Sequence, residues 1–429
     1  MHRLLTDKLL KWKNSKFRKP LILWGARQVG KTWLMQTFGR ENFENCVYIS
    51  FYNNRRMAGL FEADYNPARI IKAISIELHV SIEPQKTLII FDEVQSAMQV
   101  VESLKYFCEE ASEYAVIAAG SLLGVSMHEG ISFPVGKVDE LHLHPMNFKE
   151  FLLAMQEPEL AGFIDDWRIP EVSEFHEKYT ELLKLYFYLG GMPEVVSRYA
   201  DNRDLSEARE IQLSIINQYE GDFGKHVQPA QLPRIRMTWH AIPIQLAKEN
   251  RKFFFGQVKT GSRMKDFEIA IQWLNDAGLI HKVHKVEKPG IPLKSYVDFT
   301  AFKLFLIDLG LLGALSELDS DSILHGNDIF KEFKGALTEQ FVLQELIAAN
   351  RYTPYYYSGE KSVYETDFVI QQKKNIIPLE VKAEQNLRSK SLKFYYEKFK
   401  PEYAVRTSMS NAADEGWLVN IPLWAIGSL

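Results

Sequence analysis

Cysteine is nearly missing from these 429 residues: Cys46 and Cys108 are the whole supply. Two thiols exclude a disulfide framework and a cysteine-rich zinc site, and they fit a reducing compartment, so a cytoplasmic location is expected. Long hydrophobic runs are missing too. No stretch of about 18 uncharged apolar residues occurs, so no transmembrane helix and no membrane partner are expected. The first residues, Met1-His2-Arg3-Leu4-Leu5-Thr6-Asp7-Lys8, lack the apolar core of a signal peptide. Neither sign of charge is in large excess. With 51 Lys and Arg against 55 Asp and Glu the net charge is −4, so nucleic-acid contact must come from a local patch. Fixed-period repeats and low-complexity tracts are absent. What remains is ordinary globular usage, 46% hydrophobic and 25% charged, in a length that suggests about two to four domains.

Against this plain background one segment stands out. Gly25-Ala26-Arg27-Gln28-Val29-Gly30-Lys31-Thr32 fits the phosphate-binding pattern G-x-x-x-x-G-K-[ST]. Upstream, Leu21-Ile22-Leu23-Trp24 suits a buried parallel strand. Downstream, Trp33-Leu34-Met35-Gln36-Thr37-Phe38 suits the first turns of a helix. A strand, a glycine-bounded loop and a helix N-terminus aim backbone N–H groups and a positive dipole end at an anion. Lys31 is then the contact to the β- and γ-phosphates of ATP, and the Thr32 hydroxyl a ligand to Mg²⁺.

Hydrolysis needs a metal-ordering acid and a water-orienting base as well. Thr87-Leu88-Ile89-Ile90-Phe91-Asp92-Glu93 offers both at the carboxyl end of a second apolar strand, where open α/β sheets hold their ligands. Asp92 is the candidate second-sphere metal residue and Glu93 the candidate base. A third strand, Ala115-Val116-Ile117-Ala118-Ala119, ends in Gly120-Ser121. Ser121 is the candidate sensor between the γ-phosphate and the acidic strand, with a helix cap as its plainer role.

The loop Gly25–Thr32, the strand Leu88–Gln95, the turn Ala119–Gly124 and the segment Val138–Leu152 together resemble a group of prokaryotic AAA+-type ATPases. Members of that group carry a carboxy-terminal domain of unassigned function. Tyr188–Glu194, Trp273–Ile280 and Phe302–Leu312 extend the resemblance over nearly the whole chain. One departure concerns Gly136-Lys137, where relatives usually show Gly-Arg; lysine lacks the planar fork of arginine. An arginine finger is not assignable. Arg27, Arg40, Arg55 and Arg56 are unplaced, and a neighbouring subunit of a homo-oligomer is another source.

The fold class that follows is α/β: a P-loop NTPase (AAA+-like) parallel sheet over residues 1–155, with a helical lid over 156–235. A winged-helix module is expected over 236–300 and an α/β nuclease-like domain over 301–429. Leu4, Leu5, Leu9 and Trp12 predict an amphipathic first helix whose basic face, Lys8, Lys11 and Lys13, is expected to be solvated, with nucleic-acid contact as the alternative. Pro229 and Pro233 flank an expected linker. From Ile242 to Val286 the pattern reads helix, turn at Thr260-Gly261-Ser262, helix ending at Gly278, and a hairpin. Its polar face would carry His281, Lys282, His284, Lys285 and Lys288 toward DNA. A protein–protein module is the rival reading.

Near the carboxyl end, Val363–Ile370 and Ile376–Lys382 read as paired strands joined by the turn Lys373-Lys374-Asn375. Glu380 and Lys382, two apart, share a face. Asp367 across from Glu380 would give two carboxylates sharing a divalent metal, with Lys382 beside the scissile phosphate and Glu339, on the helical segment 335–346, completing the set. This order resembles the PD-(D/E)xK nuclease fold, which relatives of the ATPase group also show. Arg388, Lys390 and Lys393 are candidate phosphate contacts. A simple Glu380–Lys382 salt bridge is the plainer alternative, and Glu332-Phe333-Lys334 shows that Glu-x-Lys recurs by chance. The expected function is an ATP-binding and hydrolysing protein whose nucleotide state controls these appended domains on DNA, or else a non-cutting switch or scaffold.

Overall fold

The computed structural model describes residues 2–121, 125, 133–224, 227, 229–248, 252–324, 331–359, 364–383 and 389–429; for 331–333 only the backbone is described. Leu122–Gly124 of the turn after the third strand, Val363 and Arg388 lie outside these residues. The chain divides into two compact units. One comprises Arg3–His144 with Asp276–Gly278; the other is built from Pro145–Asn275 and Leu279–Leu429.

The amino-terminal unit is a five-stranded, wholly parallel sheet. Its strands are β1 (Leu21–Trp24), β2 (Asn45–Ser50), β3 (Thr87–Asp92), β4 (Ala115–Ala119) and β5 (Asp139–His142), in the order β2-β3-β4-β1-β5. Continuous apolar runs make β3 and β4 buried at every position, as strands covered on both faces must be. The helices Pro67–Leu78 and Gln99–Glu110 pack Ile70, Ile71, Ile74, Val100, Leu104 and Phe107 into that core. The first helix, Leu5–Lys13, buries Leu9 and Trp12. Because β4 lies between β1 and β3, the carboxyl ends of all three open side by side, next to the phosphate loop.

The carboxy-terminal unit opens with helices, among them His176–Leu189, Pro193–Asn202 and Leu205–Phe223. Pro233 does not mark a linker: it sits in the first turn of the helix Leu232–Leu246, where its missing N–H costs nothing. An eight-stranded mixed sheet follows, made of β6 (Ile280–Val286), β7 (Val297–Leu306), β8 (Tyr355–Ser358), β9 (Glu365–Gln372), β10 (Asn375–Val381), β11 (Ala404–Ser408), β12 (Ala413–Asp414) and β13 (Leu418–Pro422). Its order is β12-β13-β11-β10-β9-β8-β6-β7. The hairpin β6–β7 is therefore not free-standing, since β6 also pairs with β8, and β7 runs through residue 300.

That placement corrects the expected polar face of β6. Ile280, Val283 and Val286 are buried and every residue between them is half-buried. Burial pushes the His281 imidazole down to about 4, so it is neutral at physiological pH and supplies no cationic phosphate contact. Lys282 lies over the Phe302 ring, 4.3 Å from its centroid.

The helix Lys331–Ala349 ties this unit together through buried polar side chains. Gln340 pairs with both backbone groups of Leu306 (3.1 and 2.7 Å), closing the exposed edge of β7. Gln344 accepts from Leu309 N–H at 2.9 Å. Buried Asp308 accepts from Gly191 N–H at 2.6 Å and Leu311 N–H at 3.0 Å, and a Cβ on Gly190 would stand 2.2 Å from its Oδ1. The glycines of Tyr188–Glu194 thus allow a close approach of backbone to carboxylate. Glu345 accepts from Phe148 N–H at 2.7 Å, and burial, with Glu150 nearby, raises its carboxyl to about 8.

An acid whose folded pKa lies above its unfolded value binds protons more tightly when folded. Its contribution to stability is complete below the ordinary carboxyl range and is lost as pH climbs toward 8. Unfolding followed against pH should show the wild type losing a few kcal/mol between about pH 5 and 8 through this group, and Glu345→Gln flattening that slope. Equal slopes in the two proteins would remove Glu345 from the account. No helix among the described residues is long and apolar enough to cross a membrane.

Candidate functional site

The loop between β1 and the helix Lys31–Asn42 turns on unusual backbone angles. Gly25 has φ 152°, Gln28 66° and Gly30 93°, the last being the residue before the helix. A Cβ on Gly25 would meet the Leu143 carbonyl oxygen at 2.5 Å, so only glycine fits there. Arg3 holds the loop from behind: its guanidinium is buried and donates to Val29 O at 2.8 Å and His144 O at 2.5 Å. Sequence reading missed Arg3, because nothing in a leading basic residue signals a long-range contact.

Lys31 is folded over the loop it belongs to. Its ammonium donates to Gly25 O at 2.8 Å and Ala26 O at 2.7 Å. Burial drives its pKa down to about 8, only partly opposed by Asp92 and Glu93. A cation that has lost hydration without gaining a close anion is poised to accept one. Thr32 Oγ1 donates to Asp92 Oδ2 at 2.5 Å, which puts the two candidate metal residues, one on a helix and one at the end of β3, in direct contact. Tyr48 OH donates to the same Oδ2 at 3.1 Å, a second partner that the sequence did not reveal.

Glu93 follows at φ 55°, ψ 40°, a left-handed conformation that a non-glycine residue adopts at a cost of order 1–3 kcal/mol. Its carboxylate accepts from Gln95 Nε2 and lies 3.4 Å from Ser121 Oγ, which also faces Gln95 at 3.4 Å. Glu93, Gln95 and Ser121 thus form one polar group at the carboxyl ends of β3 and β4. Gln95 was visible only as part of the quoted strand segment. The loop's backbone angles, its glycine cradle and the Thr32–Asp92 pair are a donor set that fits a magnesium triphosphate. Lys137 is ion-paired with Glu109 at 2.7 Å, and Arg56 with Glu77 at 2.6 Å.

Residues 17–152 match the family model described as "AAA domain". Over these residues the chain is similar to AAA domains. Residues 180–322 and 334–426 match two further models, each described only as a domain of unknown function (DUF8612 and DUF4143). Among solved structures, the Walker-type ATPase of Pyrococcus abyssi is 14% identical over 73% of this chain and 95% of that one, with a TM-score of 0.45. The Orc1 protein of Aeropyrum pernix, solved in complex with DNA, is 13% identical over 73% of this chain and 90% of its own, with a TM-score of 0.29. No curated protein matches the chain.

In the carboxy-terminal unit the second candidate set sits on β9, β10 and the helix Lys331–Ala349. The β9–β10 register pairs Phe368 with Leu379, and one step further puts Asp367 opposite Glu380. Asp367 Oδ2 accepts from Val381 N–H at 2.8 Å. Lys382 Nζ is 2.6 Å from Glu380 Oε1, and Glu380 is buried rather than on a solvated face. Burial raises the Glu380 carboxyl, against the opposing pull of Lys382. Glu339 faces a residue that sequence reading overlooked: the ammonium of Lys303, on β7, is 3.6 Å from Glu339 Oε2 and 2.6 Å from Glu365 Oε1. Among the described residues, no group of three or more His, Cys, Asp or Glu side chains is placed to hold a metal ion. Of the three carboxylates expected to share a metal, Glu339 and Glu380 face lysines, and Asp367 faces the Val381 N–H.

Proposed function

We propose that this chain binds and hydrolyses ATP with Mg²⁺, and that its nucleotide state controls the carboxy-terminal unit. The observation that carries the proposal is the set Lys31, Thr32, Asp92, Glu93 and Ser121, gathered at the open ends of β1, β3 and β4. In this reading the N–H groups of Ala26, Arg27, Gln28, Val29 and Gly30 cradle the phosphates, and Lys31 leaves its carbonyl partners for the β/γ oxygens. Thr32 and Asp92 would hold Mg²⁺, whose charge would offset that developing on the transferred phosphoryl group. Glu93, turned inward by its left-handed backbone, accepts a proton from the attacking water. Ser121 and Gln95 hold that carboxylate and report whether a γ-phosphate is present. A homo-oligomer is the proposed partner state, in which a neighbouring subunit would supply the arginine finger.

The helices Leu232–Leu246 and Met264–Asp276, followed by the hairpin β6–β7, support a winged-helix reading with DNA as partner. Asp367 opposite Glu380 supports a nuclease-like fold for residues 301–429. A second reading, a regulatory switch that cuts no strand, is favoured by the lysines seated on Glu339, Glu365 and Glu380. Phosphate release from ATP tests the first proposal. The Asp367→Ala, Glu380→Ala double variant should keep wild-type turnover, because neither residue belongs to the nucleotide site. Absence of Mg²⁺-dependent turnover in the wild type would defeat the proposal. If the double variant abolished a metal-dependent cleavage, the switch reading would fall.

A further inference from the structure

We propose that Lys303, on β7, is the permanent counter-cation of the carboxylate cluster on β9, β10 and the helix Lys331–Ala349, so that this cluster takes up no divalent metal. Lys303 lies in the run Phe302-Lys303-Leu304-Phe305-Leu306, whose other four residues are apolar, and its side chain is entirely buried. A lysine ammonium is almost never buried in this way without carboxylate partners, because the loss of hydration is otherwise too great. Here it has two, Glu365 at 2.6 Å and Glu339 at 3.6 Å, and the Tyr356 ring centroid lies 5.0 Å away.

Glu365 and Asp367, two apart on β9, share a face, so the ammonium stands on the side of the sheet that a metal bridging Glu339 and Asp367 would need. The remaining acid of the set, Glu380, is paired with Lys382, and Asp367 is hydrogen-bonded to Val381 N–H. A divalent ion bound through carboxylate oxygens at about 2.0–2.1 Å would stand beside a fixed positive charge, in a place where solvent screens neither. Lys303 and Lys382 already set two positive charges among these carboxylates from within the chain. This rests on, and sharpens, the switch reading: lysine supplies the electrostatic role that a metal plays in a cutting site, without the open coordination positions that cutting requires.

Manganese binding to the nucleotide-free protein, followed by the loss of free Mn²⁺ signal in electron paramagnetic resonance, tests it. The wild type and the Asp367→Ala, Glu380→Ala double variant should give superimposable isotherms. Lys303→Met should acquire one additional Mn²⁺ site, at least about tenfold tighter than any residual binding, and Glu339→Gln in that background should remove it. A wild-type Mn²⁺ site abolished by the double variant overturns the proposal, and so does a folded Lys303→Met protein that binds no more than the wild type. Should Lys303→Met fail to fold, the comparison of wild type with the double variant decides alone. Failure here is separate from failure of the switch reading, which is judged on ATP turnover and strand cleavage.

Discussion

Lys31→Ala should reduce ATP affinity by at least about 100-fold, on the order of 2.7 kcal/mol, in equilibrium calorimetry. The size follows from where the ammonium sits. It is buried over the phosphate loop, its two nearest partners are neutral carbonyls, and burial has brought its pKa down to about 8. A phosphate oxygen arriving there meets a charge whose desolvation has already been met by folding, so the charge-assisted bond is stronger than one at the surface. Alanine removes the charge and leaves the loop's backbone donors, whose angles are set by Gly25, Gln28 and Gly30. Residual weak binding through those N–H groups is expected. An affinity within threefold of wild type would mean that the ammonium is a support for the loop and not a phosphate ligand.

Glu93→Gln should behave in the opposite way, leaving ATP affinity within a few-fold while lowering turnover by about 10²- to 10⁴-fold, the usual worth of a positioned base. Glutamine is close in size to glutamate and can keep contacts with Gln95 and Ser121, so the left-handed turn at residue 93 is retained. What it cannot do is take a proton. Single-turnover measurements separate the step from product release. Normal turnover in this variant would reassign the base, with Asp92 the nearest carboxylate, already engaged by Thr32 and Tyr48.

Much of the amino-terminal unit was legible in sequence because its signals are local. The glycine pattern demands particular backbone angles, and the apolar run before Asp92 demands a strand covered on both faces. Thr32 and Asp92, named from two separate local motifs, are brought into contact in the folded unit. Arg3, Tyr48 and Gln95 were not legible, since each acts through a partner fixed only by tertiary packing.

The carboxy-terminal unit was legible strand by strand but not in its charge balance. The turn at Lys373–Asn375 and the register that follows put Asp367 opposite Glu380 as the spacing suggests. Lys303, however, is hidden in a hydrophobic strand far from the motif, so no spacing rule leads to it. The polar face expected on β6 failed for a related reason. Alternation predicts one solvated side, whereas β6 lies between two neighbours in a larger sheet and is half-covered throughout. Pro233 misled because proline reads as a breaker, while at a helix start it is accommodated.

The most direct test is titration of the purified chain with ATP and Mg²⁺ in a calorimeter, paired with phosphate release from the same sample. Binding near one ATP per chain, with slow Mg²⁺-dependent release of phosphate that Lys31→Ala removes, is the predicted result. No retained nucleotide at millimolar concentration, or equal binding by Lys31→Ala, contradicts the account.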